Sequence, residues 1–213
     1  MWIDHYGKGD HVIQVFTNDA ERLKAICDLI DWVKENELVV YICETPLSCN
    51  GSPYDRKMEK AIREGRVRVI SANSFYFSQG KIDHRRIMEK LDWIIESIHR
   101  EGNRVGAAVG DLSWALGLRE KFQELMRYEA MLHLDSPPMD IGILCQYDSR
   151  ILTEEQKRMI SRMHAMQLRN GQLERNHWLL CRTTSQAGVP DQRLEHHLDP
   201  DVRESERPYL SVD

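Results

Sequence analysis

Two hydrophobic periods take turns along most of the chain: short β-branched runs give way to stretches in which apolar residues recur every three or four positions. His11–Thr17 predicts a first strand, with Asn18 or Asp19 placed to cap the helix behind it, where Leu23, Ile26, Cys27, Ile30 and Val33 form one apolar stripe. Leu38–Cys43 predicts a second strand, stopped by Glu44-Thr45-Pro46 and followed by a loop over Ser48–Pro53. A helix over Tyr54–Glu64 ends at Gly65, and strand Val67–Ser71 follows. The connection Ala72–Gly80 carries three aromatics, and Asp83 caps a long helix with Ile87, Leu91, Ile94, Ile95 and Ile98 on one face.

After Gly102 comes Val105–Val109, a small-residue strand that stops at Gly110-Asp111. Leu118, Phe122, Leu125, Met126, Glu129 and Ala130 then recur at helical spacing to about Leu132, before the breaker Ser136-Pro137-Pro138. Ile141–Tyr147 is a further strand, Thr153 caps a helix bearing Met159, Ile160 and Met163, and His177–Cys181 reads as a short sixth strand. Strand and helix alternation of this kind predicts a three-layer α/β fold, with a mostly parallel sheet of about six strands flanked by helices. Residues 1–10 form an N-terminal arm, 11–181 the globular domain, and 182–213 a charged, proline-containing tail suited to a linker or a docking segment.

Composition narrows the function classes. In 213 residues, 41% hydrophobic and 30% charged, there is material for one sizeable core. A net charge of -5, with basic residues interleaved among acids, argues against a direct nucleic-acid surface. No apolar run reaches the roughly 20 residues of a membrane span, and the N-terminus has no signal-peptide pattern, so a cytoplasmic location is expected. The five cysteines, Cys27, Cys43, Cys49, Cys145 and Cys181, show no CxxC spacing and read as reduced, buried small hydrophobes.

Catalytic signatures are missing. Thr17–Arg22 stands where a phosphate-binding P-loop would need glycines and a lysine, and it offers two acids instead. Asp111 ends its strand like a metal-side acid, but the phosphate cradle it would serve is not there. Ser113 has no nucleophile-elbow glycines and is expected to cap the following helix. His5, His11, His84, His99, His133 and the tail pair His196-His197 are scattered and read as surface residues; no cofactor or metal set is expected.

What parallel strands would bring to one edge is a set of strand-end groups: Thr17, Asn18, Glu44 with Thr45, Ser71 with Phe75 and Tyr76, Asp111, Ser113, Trp114, and Gln146-Tyr147-Asp148. Aromatics with a few orienting polar groups suit a small-molecule pocket; the same residues could instead pack under loops and cap helices. The Phe75–Gly80 loop and the tail are the expected movable segments.

The strand at His11, Tyr41-Ile-Cys-Glu44 before a proline, Gly110-Asp-Leu-Ser-Trp-Ala-Leu116, Tyr128-Glu-Ala130 and Cys145-Gln-Tyr-Asp148, in this order, resemble the MEDS domain, the methanogen/methylotroph, DcmR-type sensory domain. The resemblance spans roughly His11 to Cys181. It implies a RecA/KaiC-like fold that has lost its P-loop and a non-enzymatic role in sensing hydrocarbon or one-carbon derivatives. It also implies coupling to a regulatory output. No helix-turn-helix or kinase module is evident in these residues, so the output is assigned to a protein partner, with a homodimer left open. Two other readings stand beside it: a residual nucleotide-binding protein or ATPase using Asp111, and a ligand-free interaction module anchored by Trp93 and Trp32.

Overall fold

The computed structural model describes residues 1–44, 52–78, 80–116, 119–134 and 140–176. Thr45, most of the Ser48–Pro53 loop, the His177–Cys181 strand and the tail lie outside the described residues. The elements are β1 His11–Phe16, α1 Asp19–Trp32, β2 Glu37–Cys43, α2 Pro53–Arg63, β3 Val67–Ser71, α3 Ala72–Tyr76, β4 Phe77–Ser78, β5 Lys81–Ile82, α4 His84–Arg100, β6 Arg104–Asp111, α5 Arg119–Leu134, β7 Gly142–Asp148, α6 Glu154–Arg162, β8 Met166–Arg169 and β9 Gln172–Arg175. Short 3-10 turns occupy Trp2–His5 and Ser113–Ala115.

The main sheet has seven strands in the order β3-β2-β6-β7-β1-β8-β9. All neighbours pair in parallel except β8 and β9. Strand alternation sends β2 side chains into two cores: Leu38, Val40 and Ile42 join α3, α4 and α5 on one face, while Val39, Tyr41 and Cys43 join α1 and α2 on the other. The three-layer α/β architecture follows from covering both faces of a parallel sheet.

Local chemistry sets the boundaries. Asn18 Oδ1 accepts from Glu21 N at 2.9 Å, Asp83 Oδ1 accepts from Arg86 N at 3.2 Å, and Thr153 and Gln156 form a reciprocal capping box. Pro53 opens α2 behind its Ser52 cap rather than closing a loop. The N-terminal residues pack on α1: Trp2 and Tyr6 are buried, and Trp2 Nε1 donates to Asp28 at 2.8 Å.

Two expectations are corrected, and one element is added. The Phe75–Gly80 connection is a short helix and a hairpin; Phe75 and Tyr76 are buried, and Lys90 Nζ donates to the carbonyls of Ser74, Phe75 and Phe77 at 2.7, 2.9 and 2.8 Å. Ser113 does not cap α5; its hydroxyl accepts from Asp148 N at 3.1 Å, and a 3-10 turn stands between β6 and the helix. A hairpin, β8-β9, extends the sheet beside β1, turning on Asn170 and Gly171, both with positive φ.

Candidate functional site

The carboxyl ends of β1, β6 and β7 lie side by side, with Phe16 level with Asp148 and Asp111 level with Gln146. On the α1 side of this edge, the position of a phosphate cradle is filled from within. Thr17 N and Oγ1 both donate to Glu21 Oε2, at 2.8 and 2.9 Å, so a carboxylate sits where helix N-termini otherwise attract anions. Arg22 turns inward, donates to Asp111 Oδ2 at 2.8 Å and stands over the Phe16 ring. Beneath it Gln146 Nε2 donates to Gln14 Oε1 at 2.7 Å and to the Arg22 carbonyl at 3.0 Å. The nearest cation is thereby committed to an internal acid, and no lysine of the loop is available to a triphosphate.

The opposite face of the same strands carries a second buried polar group. His11 from β1, Cys145 from β7, Glu129 from α5 and His164 just ahead of β8 bring one donor atom each within 4.8 Å of one another. His11 Nε2 lies 3.1 Å from Cys145 Sγ and 3.3 Å from Glu129 Oε2; His164 Nε2 lies 3.4 Å from that same oxygen, and Cys145 Sγ 3.9 Å. Tyr147 O–H donates to the other carboxylate oxygen at 2.7 Å, and His164 Nδ1 donates to the Ile160 carbonyl at 3.0 Å. Glu129 and His164 are wholly buried. Burial by itself would raise the Glu129 carboxyl, but the facing His164 and His11 rings outweigh it and hold the group well below its ordinary value. Burial, with His164 opposing, lowers His11, and burial together with the Glu129 charge pushes the Cys145 thiol well up.

Alternation divides the strand-end residues named from sequence. Gln146 faces α1 and Tyr147 faces α5, because neighbours on a strand point to opposite sides. Thr17 and Asn18 are exposed on the α1 side, Asp111 pairs with Arg22, Asp148 is held by Arg150, and Glu44 is exposed at the end of β2. The aromatics do gather: Tyr76 lies 5.0 Å from Phe75, 5.4 Å from Trp114 and 5.9 Å from Tyr128, ring centre to ring centre, and Phe77 lies 4.9 Å from Trp114. Gly110 has no side chain because the Tyr76 hydroxyl occupies that space. The Trp114 indole N–H is buried without an acceptor among the described residues. Phe75 reaches the wall of an open groove of about 420 Å³ between β3 and α4, lined also by Val69, Ile70, Trp93 and Ile94.

His11, expected at the surface, and Cys145, expected as a small buried hydrophobe, both belong to this quartet, and His164 is a member that the sequence does not mark. A readable signal was Glu129, a carboxylate on the apolar stripe of its helix, flanked by Tyr128 and Ala130.

The fold and site define an α/β domain whose first strand–helix turn is filled by its own Glu21 carboxylate, with a buried polar centre on the opposite face of the sheet. The sequence profile of the family MEDS, MEthanogen/methylotroph, DcmR Sensory domain, matches residues 10–165, and the chain belongs to this family. No curated protein matches it by sequence. Among solved structures it is similar to the flagellar accessory protein FlaH from Methanocaldococcus jannaschii, with 13% identity, TM-score 0.42, and 79% of this chain and 76% of that one covered. It is also similar to PH0250 from Pyrococcus horikoshii OT3, with 8% identity, TM-score 0.48, and 81% and 90% covered. For the type III secretion ATPase EscN from enteropathogenic E. coli the figures are 9%, 0.42, 75% and 42%. No described helix is long and apolar enough to cross a membrane.

Proposed function

We propose that this chain is a non-enzymatic sensory domain that takes a small, largely apolar ligand, of the class of hydrocarbon or halogenated one-carbon derivatives, and relays its presence to a regulatory protein partner. The observation that carries this reading is the groove between β3 and α4. Its volume of about 420 Å³ and its mainly apolar surface, with Arg68, Ser74, Lys90 and Ser97 as the polar groups of its lining, suit a small molecule, and its Phe75 wall leads edge-on to Tyr76 and from there to Trp114 and Tyr128. A ligand there would bear on packed aromatics that reach the strand-end residues Asp111, Ser113 and Trp114. A coupling of about 1–3 kcal/mol between two packings is the size such relays use. Membership of a sensory family supports the same role.

The test is a thermal-shift panel on the full chain, setting halogenated and methylated one-carbon compounds against ATP with Mg²⁺. A ligand at 100 times its Kd adds about 2.7 kcal/mol, a rise of about 5–10 °C at this size. The expected result is a rise with the apolar compounds that Trp93→Ala removes, since Trp93 is 62% exposed and its loss leaves the core intact. A rise with ATP–Mg²⁺ alone would instead favour the nucleotide reading, and a rise with neither would leave the interaction module.

A further inference from the structure

We infer that His11, Glu129, Cys145 and His164 form a closed four-coordinate site for a divalent transition-metal ion of the zinc type. This inference does not rest on the apolar ligand proposed above, which concerns other residues. Each of the four offers one donor: two imidazole nitrogens, a thiolate and a carboxylate oxygen. In a tetrahedral zinc site with bonds of about 2.0–2.3 Å, neighbouring donors stand roughly 3.3–3.7 Å apart. Four of the six separations here, 3.1, 3.3, 3.4 and 3.9 Å, bracket those edges, and all six are within 4.8 Å.

The surroundings also suit a ligand set. His164 commits its Nδ1 proton to the Ile160 carbonyl, which turns Nε2 toward Glu129 Oε2 at 3.4 Å. The space between that nitrogen and the carboxylate oxygen takes one cation, a proton on the imidazole or a metal ion in its place. Tyr147 fixes the second carboxylate oxygen, so Glu129 is left one oxygen for the centre. Such partners orient first ligands and hold their tautomer. Charge gives the third reason. A dication bound by a thiolate, a carboxylate and two neutral imidazoles is neutral overall, which is the state that a fully buried centre accommodates at least cost. On binding, the Cys145 S–H bond is exchanged for a sulfur–metal bond and the proton leaves to solvent. The ligands come from β1, α5, β7 and the segment before β8, so the ion would tie α5 and the β8-β9 hairpin to the middle of the sheet.

The experiment is a titration of the chelator-treated full chain with Co²⁺, read by absorption, with competition by Zn²⁺ and metal content measured after dialysis. The expected result is one equivalent bound, with intense visible bands of four-coordinate cobalt and a near-ultraviolet thiolate-to-cobalt band, all displaced by Zn²⁺. Cys145→Ser should abolish the thiolate band, and Tyr147→Phe should weaken affinity about 10–100-fold while leaving the spectrum unchanged. Circular dichroism checks that each variant is folded; should Cys145→Ser fail to fold, His11→Gln, at the rim of the cluster, removes one nitrogen ligand and should weaken cobalt binding and shift the visible bands, an unchanged affinity and spectrum overturning the proposal. Less than a tenth of an equivalent bound to the folded chain would overturn the proposal. So would a spectrum that survives in Cys145→Ser and disappears in His196→Ala/His197→Ala, which would assign the ion to the tail pair.

Discussion

The two faces of β1 and β7 handle buried polarity in different ways. Toward α1, Gln14 and Gln146 zip to each other and to carbonyls of the first helical turn, and the charges of Arg22 and Asp111 cancel at 2.8 Å near the edge. Toward α5, one residue along the same strands, an ionised carboxylate, two imidazoles and a thiol crowd into a space sealed by Tyr147. The first arrangement is held by fixed amides and an ion pair, with Gln146 Oε1 and Arg22 Nε left without a partner among the described residues. The second is built entirely from groups whose charge responds to protons or metal ions. Side-chain alternation at single-residue spacing thus puts a static network and a responsive centre back to back.

The contrast breaks most severely at Glu129. Glu129→Ala leaves His11, His164 and Tyr147 facing a void that held a charge, and removing one member of a buried ionic group costs about 3–5 kcal/mol. Urea unfolding should show this as a fall in midpoint. A loss below about 1 kcal/mol would mean that the carboxylate is not ionised in the fold.

On the α1 side the effect should be smaller, because the Arg22 and Asp111 side chains retain 11% and 12% of their exposure. Arg22→Met and Asp111→Ala should each cost about 2–3 kcal/mol, and the double variant clearly less than their sum, since the second removal relieves the charge that the first stranded. Strict additivity in this cycle would remove the ion pair from the account of the edge.

Acid should separate the faces a third way. In the chelator-treated chain, His11 is the group of interest, faced by His164, Glu129 and Cys145. The unfolded chain protonates this residue near its ordinary 6.5, whereas the folded chain, burying it, does so only at lower pH. Between those values the unfolded state binds the extra proton, so stability falls as pH drops below about 7, by at most about 1.4 kcal/mol per unit. Glu129, depressed in the fold, adds a second loss once pH falls below its unfolded value of 4.5. His11→Asn should flatten the slope between pH 7 and 5 and leave the lower one; an unchanged upper slope would assign it elsewhere.

Much of this architecture was legible because it is written in periodicity and caps. Asn18, Asp83 and Thr153 cap the helices assigned to them, and β3 occupies Val67–Ser71 as read. The β8-β9 hairpin escaped because its strands are short and mostly exposed, with Leu168 alone fully buried, although Asn170-Gly171 is a strong turn signal. The buried quartet escaped for another reason. Its members lie on four separate segments from His11 to His164, and the spacing rules that reveal metal ligands within a loop or helix have nothing to act on when the fold itself supplies the convergence. The family motifs held the clue, since Glu129, Cys145 and Tyr147 sit inside them.

The smallest effect tests the self-filled turn of the α1 face. Glu21 is partly exposed and its side chain bonds to the loop at Thr17, while its backbone bonds to Asn18 and Gln14 survive truncation, so Glu21→Ala should cost about 0.5–1 kcal/mol, the value of a cap. It also frees the Thr17 N–H for an anion. Yet ATP–Mg²⁺ should still not bind, as judged by calorimetry, because a triphosphate needs several convergent amides and a free lysine, while here the loop has no glycine and Arg22 remains engaged by Asp111. Binding recovered by this one change would mean that the edge was merely blocked by its own carboxylate, and the two faces would then differ in occupancy rather than in kind.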